Sequence, residues 1–210
     1  MDDTVRQAAF GLSRIGAFLR SSQWRQGEEL GLTPTQQSLV AALHRLGAAR
    51  IQALASALGV THATASDAIS ALQSKGLIEK RPDPFDGRAI LVDLTGQGRL
   101  LAQRADFIPA GLLAAIGTLG ADERSGLSRS LTGIIRSLQD AGLIDPQRLC
   151  VTCRFFRPNA HPEAAKPHHC AYVDAAFGDE ALRLDCSDHI KADDAESASH
   201  WRRFSEAKSA

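Results

Sequence analysis

The sequence predicts a mainly α fold of the α+β class, in which helices surround one β-hairpin and a small cysteine-rich segment follows. Three observations predict it. Apolar residues recur every three or four positions over most of residues 1–149, two strand-like runs flank one turn-rich segment after Gly76, and all four cysteines lie beyond Leu149. The first pattern is typical of amphipathic helices and the second of a hairpin. A length of 210 residues fits one domain with an extension, or two small domains.

The first helix is predicted over residues 3–20, where apolar residues stand at helical spacing. The second begins in "LTPTQQSLVAAL", because Thr33 can cap it, Pro34 suits the first helical position, and Gln36 completes a capping box. A third helix follows in "ARIQALASALGV" and ends at Gly59, the residue type that favours a helix C-cap.

A fourth helix is predicted to begin after Thr61 and to end at Lys75–Gly76, with an inward face of Ala65, Ile69 and Leu72. The tight "LGVT" turn before it gives this pair of helices the pattern of a helix-turn-helix. "GLIEKRPD" and "RAILVDLT" then predict a β-hairpin, and the "PDPFDG" between them indicates a loop longer than two residues.

Helical spacing returns after Thr95, and we expect this helix to bend at Pro109 and to continue to about Gly117. A last long helix is predicted in "GADERSGLSRSLTGIIRSLQDAGL". Its apolar stripe has no obvious partner in a compact helical lobe, so a second copy of the chain is a natural partner; the stripe is made of Leu127, Leu131, Ile134, Ile135 and Leu138.

The composition excludes few classes of function, because 24 Lys and Arg balance 24 Asp and Glu and the net charge is zero. The opening "MDDTVRQAAF" lacks the basic and apolar regions of a secretory signal, and no apolar run reaches the length of a membrane span. We therefore expect a cytoplasmic protein with no membrane partner and with reduced thiols. Phosphate-loop, H-E-x-x-H and G-x-S-x-G motifs are missing from the sequence, so an enzyme is not expected.

The chain resembles the MarR family of bacterial transcriptional regulators over residues 3–145. The resemblance rests on "LTPTQ", on the run from "IQALASALGV" to "LTGQGRLL", and on the D..D.R signature of Asp83, Asp86 and Arg88. It implies a winged helix-turn-helix with long dimerisation helices, and an obligate homodimer bound to double-stranded DNA. Two recognition helices about 34–36 Å apart would then read a pseudo-palindromic operator. A small-molecule effector at the junction of the DNA-binding and dimerisation regions is also possible within this family.

Positions opposite the buried face of the fourth helix are predicted to face DNA, with Arg88 entering the minor groove and Asp86 holding its guanidinium. The candidate DNA-binding residues are Arg50, Thr61, His62, Thr64, Ser66, Asp67, Ser70 and Arg88. Ala63 shares that face, and Lys75, Lys80 and Arg81 are weaker phosphate candidates. The face carries no Arg or Lys before Lys75, and its Asp67 would either accept from cytosine N4 or lower the affinity.

Residues 149–210 are predicted to be a cysteine-rich metal-binding extension of a DNA-binding and dimerisation domain at residues 1–148. The spacing C-x2-C-x16-C-x15-C makes Cys150, Cys153, Cys170 and Cys186 candidate metal ligands. About sixty residues form a marginal core, which a metal would stabilise. Zinc and an iron–sulfur cluster, [4Fe–4S] or [2Fe–2S], both remain open.

Other roles remain open for these residues. His168, His169 and His189 lie near the cysteines and could replace one as a ligand or support the site. The thiols could instead be redox-active or simply free. The sequence thus predicts a transcriptional regulator, and two roles of the tail stay open: a structural role, or the sensing of redox or metal state. The alternative is a metal-stapled dimeric scaffold for protein interactions, with residual DNA binding.

Overall fold

A computed structural model describes residues 2–104 and 108–206. The chain forms two compact units, Met1–Ala115 and Ile116–Ala210. No helix in the described ranges is long and apolar enough to cross a membrane. The predicted division into residues 1–148 and 149–210 concerns function as well as packing and stays a prediction.

The first unit is helical with one small sheet. Its elements are α1 (Asp3–Leu30), α2 (Pro34–Leu46), β1 (Ala49–Arg50), α3 (Ile51–Leu58), α4 (His62–Ser74), β2 (Ile78–Asp83), β3 (Asp86–Leu94), α5 (Gly96–Arg104) and α6 (Ala110–Gly117), whose last two residues belong to the second unit. The helix predicted to bend at Pro109 falls partly on residues 105–107, which lie outside the described residues; α5 and α6 stand on either side.

Local signals place the ends of the short helices where the sequence predicts them. The Gln36 N–H donates to the Thr33 hydroxyl and the Thr33 N–H to the Gln36 side chain, both at 3.3 Å, so the capping box before α2 is confirmed. Gly59 ends α3 with φ of 64°, a left-handed conformation that glycine adopts without strain. Thr61 caps α4 by accepting the Thr64 N–H at 3.1 Å.

The core of the first unit lies between α2, α3, α4 and the sheet. Its largest fully buried side chains are Leu39, Val40, Leu43, Leu54, Ile69, Leu72, Val92 and Leu94. Each such side chain stabilises the fold by roughly 1.5–3 kcal/mol relative to exposure. The predicted inward face of α4 is confirmed, since Ala65, Ile69 and Leu72 have no exposed surface.

The sheet has the strand order β1-β3-β2 and is antiparallel, with Ile78 opposite Leu94 and Ala49 opposite Val92. The predicted loop of more than two residues is wrong. Pairing continues to Asp83 and Asp86, so only Pro84 and Phe85 connect the strands. The register shifts between Pro82 and Asp83, and this irregularity takes up the residues that the sequence assigned to a longer loop.

Helix α1 is longer than predicted, because it continues past residue 20 to Leu30 before Gly31 ends it. Its predicted apolar face is not covered within the chain. Five of its six predicted apolar positions are exposed and only Gly27 of the helix is buried; the exposed five are Val5, Ala8, Ala9, Leu12 and Ile15. Phe10 and Phe18 of the same helix are exposed as well. A long helix with an uncovered apolar side requires another surface to pack against.

The second unit combines one long helix with a small three-stranded sheet of order β4-β5-β6. Its elements are α7 (Ala121–Asp140), a 3₁₀ turn (Cys150–Thr152), β4 (Phe156–Arg157), β5 (His168–Cys170), β6 (Ala175–Phe177), a second 3₁₀ turn (Asp179–Ala181) and α8 (Asp194–Glu206). The short helix predicted in "FGDEALRLDC" is thus a single 3₁₀ turn.

The core of the second unit joins the cysteine-rich tail to α7. Buried Leu149, Val151, Phe156, Leu182 and Phe204 form this core, and Ile135 of α7 and Trp201 of α8 pack against it. Part of the apolar stripe on α7 therefore has a partner in the same chain, contrary to the prediction. Ile134, on the same stripe, is 44% exposed.

Residues 194–206 form α8, which buries Ser197, His200 and Phe204. These positions are three and four residues apart, so they form one face of a helix. Because two of the three side chains are polar, the face does not stand out as an apolar stripe in the sequence.

Candidate nucleic-acid interface and candidate metal centre

The outer face of α4 carries the polar residues that the sequence assigned to it. His62, Thr64, Asp67 and Ser70 are exposed and Ser66 is half-buried, while the opposite side of the helix packs in the core. Every predicted base-reading side chain is therefore on the surface of the first unit. Their contacts with DNA stay predictions.

Several hydroxyls on this face already have partners within the helix. The Thr64 and Thr61 hydroxyls lie 2.9 Å apart, and the Ser70 hydroxyl donates to the Ser66 carbonyl at 2.9 Å. Such bonds hold a short side chain close to the helix backbone. The side chains with the greatest reach on this face are consequently His62 and Asp67.

The tip of the β2–β3 wing is organised around the buried carboxylate of Asp83. It accepts the Phe85 N–H at 2.9 Å and two bonds from the Arg50 guanidinium, at 2.7 and 3.0 Å. The backbone hydrogen bond from Phe85, together with the Arg50 bond, lowers the pKa of Asp83, and Asp83 in turn raises the pKa of Arg50. Arg50 therefore braces the wing, although it was predicted only as a phosphate contact.

Asp86 does not hold the guanidinium of Arg88 as predicted. Its carboxylate accepts the backbone N–H of Arg88 at 3.2 Å and lies 3.3 Å from the Arg50 guanidinium. The position of Asp86 at the start of β3 explains the difference, because at this turn its carboxylate lies next to the backbone N–H two residues further on. The Arg88 side chain itself is exposed, as a role in the minor groove requires.

Two of the weaker phosphate candidates are engaged within the protein. The Lys75 ammonium donates to the Gly31 carbonyl at 2.5 Å and to the Gln36 side chain at 2.8 Å. Arg81 pairs with Asp93 at 3.2 Å. Lys80 lies exposed on β2 and keeps its predicted role open.

Phe85 is a candidate that sequence reasoning missed. It occupies the wing tip between Asp83 and Arg88 and is 95% exposed. An apolar side chain at such a position is typical of residues that wedge into the minor groove. The signal was present in "PDPFDG", where an aromatic residue stands in a turn otherwise made of polar, proline and glycine residues.

The second unit brings all four cysteines to one cavity of about 170 Å³. Each is a free thiol, so none forms a disulfide. The rest of the lining is mainly aromatic and aliphatic and contains no histidine; it comprises Phe155, Phe156, Tyr172, Val173, Ala175, Phe177, Ala181, Arg183 and Asp188. Cys150, Cys153, Cys170 and Cys186 thus line one cavity, and their predicted role as metal ligands stays a prediction.

Backbone hydrogen bonds position these thiols. The Cys153 N–H donates to the Cys150 carbonyl at 2.9 Å, which closes the 3₁₀ turn between them. The Cys150 N–H donates to the Arg183 carbonyl at 3.0 Å, and the Cys186 N–H to the Arg148 carbonyl at 3.1 Å. Cys170 is brought alongside by pairing of β5 with β4, opposite Phe156. Three separate segments thus meet around the cavity.

The surroundings of the thiols disfavour several negative charges there without a cation. Burial, together with negative charge on the other three cysteines, raises the pKa of Cys150 to about 11. The Arg183 N–H, which donates to the Cys150 sulfur at 3.2 Å, acts in the opposite direction. Among the described residues, no three His, Cys, Asp or Glu side chains are grouped as one metal ion requires.

The nearby histidines are engaged elsewhere. Fully buried His168 accepts the Asn159 N–H at Nδ1, 3.2 Å away, so its Nε2–H donates to Asp179 at 2.8 Å. His169 bonds to His161 at 3.2 Å and lies 3.2 Å from Asp174. These contacts support the loops around the cysteines, so ligation by His168 or His169 is not what the arrangement favours.

His189 lies 3.0 Å from the Thr152 hydroxyl, next to the cysteine turn. Burial lowers its pKa. This contact connects the segment after Cys186 to the turn between Cys150 and Cys153. His189 therefore contributes to holding the turn and does not line the cavity.

Helix α7 is connected to the cysteine segment through Arg129. Its guanidinium lies 3.1 Å from Asp179, 4.0 Å from the centre of the Phe204 ring, and donates to the Phe204 carbonyl. Burial opposes ionisation of Asp179, but the hydrogen bond from His168 and the charge of Arg129 outweigh it and lower its pKa. A continuous polar path therefore runs from α7 through Asp179 and His168 to β5, which carries Cys170.

Two other cavities bear on the expected small-molecule effector. One of about 580 Å³ lies along α7 and α8 and includes Ile134, Leu138 and Trp201. Another of about 260 Å³ lies in the first unit near Gln37, Arg45 and Leu58. The position of an effector, predicted for the junction of DNA-binding and dimerisation regions, stays a prediction.

Comparison with known proteins relates the first unit to one family. The model of the MarR family matches residues 32–90, and no curated protein matches the chain. Among solved structures, S. aureus MepR in its DNA complex has 23% identity and a TM-score of 0.54, covering 63% of this chain and 98% of its own.

Two further structures give the same result. Streptococcus pneumoniae FabT in complex with DNA has 19% identity and a TM-score of 0.56, covering 66% of this chain and 99% of its own. The transcriptional regulator BldR from Sulfolobus solfataricus has 22% identity and a TM-score of 0.55, covering 65% and 99%. At these identities the structures show a shared winged helix-turn-helix fold, and residues 32–90 within it are similar to the MarR family.

Proposed function

We propose that this protein is a homodimeric transcriptional regulator that binds a pseudo-palindromic DNA operator through α4 and the β2–β3 wing. The observation that carries the proposal is the exposure, within one compact unit, of a polar α4 face and a braced wing bearing Arg88. MepR and FabT, which share this fold, have been solved in complex with DNA. A helix of this kind reads the major groove, and the wing reaches the adjacent minor groove.

The exposed apolar side of α1 supports the homodimer. Val5, Leu12 and Ile15 are exposed on one side of this helix, and apolar surface of this kind favours an interaction site because it is costly to leave in water. The first unit also exposes Trp24 of the same helix to 60%. In a symmetric dimer the same patch on each chain would cover its counterpart, and the two recognition helices would be set about one DNA turn apart.

The charge of the α4 face determines how this protein would read DNA. Asp67 is exposed on it and would accept a hydrogen bond from cytosine N4, a contact that specifies a base. Phosphate contacts must then come from outside the α4 face, and Arg88 and Lys80 on the wing are the exposed cations placed to supply them.

The four cysteines support a second proposal, that the tail binds zinc or an iron–sulfur cluster and that its metal or redox state changes DNA binding. The thiols surround one cavity, and backbone bonds from three segments hold them there. Because α7 packs on the same core, the state of the tail would affect a helix expected to take part in dimerisation.

The wing is tested by replacing Arg88 with alanine and measuring binding to a DNA fragment from the protein's own promoter region by fluorescence anisotropy. We expect a loss of affinity of about 5- to 150-fold, since one good arginine contact contributes roughly 1–3 kcal/mol. Arg202→Ala is the matched control, because Arg202 is an exposed arginine on α8 in the other unit, and it should bind as the wild type does. Equal binding by the Arg88→Ala protein would rule out the proposed role of the wing.

A salt series separates the regulator from the alternative, a dimeric scaffold with residual DNA binding. Operator binding should weaken steeply with salt, in proportion to the number of phosphates contacted, and should exceed binding to an unrelated fragment by a large factor. A shallow slope with equal affinity for both fragments would favour the scaffold.

A further inference from the structure

We propose that the four-cysteine cavity holds a [4Fe–4S] cluster, with one iron bound by each of Cys150, Cys153, Cys170 and Cys186. The inference rests on the proposed function only in placing a metal group at these cysteines, and it does not depend on DNA binding. It follows from the size of the cavity, from the spread of the thiols around it and from the chemistry of its wall.

The cavity is too large for a single ion. A zinc ion bound by four thiolates at about 2.3 Å draws the sulfur atoms to within about 3.8 Å of each other, which leaves no space between them. The cavity that these four thiols line together with nine other residues is about 170 Å³. That is roughly ten times the 10–15 Å³ that one water molecule needs. A core of four irons and four sulfides is a group of the size required.

The positions of the four thiols around the cavity also favour a [4Fe–4S] cluster. Within the two described ranges, no three potential ligands are gathered as one ion would require, yet all four cysteines line the same space. In a cubane each thiolate binds a different corner, so the ligands surround the group instead of converging on a point. Cys150 and Cys153 approach from the 3₁₀ turn, and Cys170 and Cys186 from two other segments.

The wall suits an iron–sulfur core. Sulfur in such clusters is stabilised by N–H donors and by a largely apolar surround. Here the Arg183 N–H donates to the Cys150 sulfur at 3.2 Å, and the Arg183 guanidinium lies 4.0 Å from the Cys186 sulfur. Phe155 and Tyr172, whose rings are 5.3 Å apart, form part of the apolar side. A positive side chain next to the thiolates offsets the net negative charge of a four-thiolate cluster.

The alternative of redox-active dithiols leaves the cavity unexplained. A disulfide requires its two sulfurs at about 2.05 Å, and all four cysteines are free. A cluster fills the space and satisfies every thiolate.

The test is to purify the full-length protein anaerobically from cells supplied with both iron and zinc, and to measure iron, acid-labile sulfide and zinc per chain. We expect about four irons and four sulfides per chain, with the broad visible absorption of iron–thiolate charge transfer. One zinc per chain without sulfide would overturn the proposal, and so would two irons with two sulfides.

Single substitutions Cys170→Ser and Cys186→Ser should remove most of the iron and the visible absorption. Ser187→Ala is the matched control, because Ser187 adjoins Cys186, is exposed and offers no thiol, and it should retain the cluster. If a serine variant fails to fold, metal-free wild-type protein decides the question. Supplied anaerobically with ferrous iron, sulfide and a competing equimolar amount of zinc, it should take up the cluster, and exclusive zinc binding would refute it.

Operator affinity measured on the same preparations separates this inference from the proposed function. A [4Fe–4S] protein without specific DNA binding would leave the inference intact and refute the regulator. A zinc protein that binds its operator would do the reverse.

Discussion

Asp83 shows how a single carboxylate can organise the part of the wing predicted to meet DNA. It is 8% exposed and is shared by the Phe85 N–H and the Arg50 guanidinium. The hydrogen bond from Phe85 fixes the two-residue turn, and the bonds from Arg50 connect the wing to the start of α3. The sequence identifies Asp83 as part of a signature, but not its partner, because Arg50 lies 33 positions earlier in the chain.

Replacing Asp83 with asparagine keeps the shape of the side chain and removes its charge. The hydrogen bonds lower the pKa of Asp83 in the folded protein. Its ionisation therefore contributes stability that is complete above the ordinary aspartate pKa of about 3.9 and is lost as pH falls below it. We expect the wild type to lose more unfolding free energy than Asp83→Asn on going from neutral pH to about pH 3. Parallel pH profiles in urea denaturation would contradict this.

Residue-scale roles were the least predictable part of the interface. The exposed positions on α4 follow from helical periodicity, which is local, and the structure exposes four of them as expected. The arrangement at the wing tip depends on a register shift and on contacts between distant residues. For that reason the pairing of Asp86 was wrong and Phe85 was missed.

At the scale of elements, helix α5 begins unusually close to the end of the α4–β2 connection. A side chain on Gly98 would collide with the Leu77 carbonyl, whereas one on Gly96, two residues earlier, would meet nothing within 4 Å. The Gly98 N–H also donates to the Thr95 hydroxyl at 3.1 Å. Gly98 therefore permits the close packing of α5 onto the wing.

The pair Gly98→Ala and Gly96→Ala tests that contact. We expect Gly98→Ala to destabilise the protein by roughly 1–3 kcal/mol, the usual cost of forcing extra atoms into a packed site. Gly96→Ala should be neutral or slightly stabilising, because alanine favours helix by up to about 1 kcal/mol over glycine. Chemical denaturation at fixed protein concentration compares them, and equal stabilities would show that the backbone moves aside without cost.

Elements with their own start and stop signals could be predicted from the sequence, and elements without them could not. Thr33 and Gly59 mark helix ends through contacts within four residues, so α2 and α3 were placed correctly. The buried face of α8 mixes Ser197 and His200 with Phe204. It is recognisable as a face only once the core it packs against is known.

At the scale of the whole molecule, the cysteine-rich tail and α7 form one compact unit. Trp201 of α8 and Ile135 of α7 both pack against the core of this unit, and the Arg136 guanidinium lies 5.7 Å from the centre of the Trp201 ring. The tail is thus folded onto a helix that the sequence assigned to dimerisation.

Trp201→Ala should lower the unfolding free energy of the second unit by roughly 1–3 kcal/mol. That is less than the 3–5 kcal/mol of a fully buried aromatic residue, because Trp201 is only partly buried. Its exposed neighbour Arg202 provides the control, and Arg202→Ala should change stability by less than about 0.5 kcal/mol. Circular dichroism and thermal denaturation would measure both. Similar melting of the two variants would mean that α8 does not hold the tail on α7.

The number of cysteines at the proposed tail site could be predicted from the sequence, but the size of the group that they would surround could not. Four cysteines at this spacing predict a metal site because thiolates are the ligands that zinc and iron–sulfur clusters share. The choice between them depends on how far apart the thiols are held, which three separate segments decide together. Sequence spacing within one segment carries no information on that distance.

The backbone bonds around the cysteines also determine when the site can form during synthesis. Cys150 receives its support from the Arg183 carbonyl, and Cys186 bonds back to Arg148. On the ribosome, the early pair of cysteines therefore emerges long before the chain that must close around it. The first unit can complete its fold while this pair is still unassembled. Delivery of the proposed cluster to the second unit would then be a late event of maturation, after translation has passed residue 186.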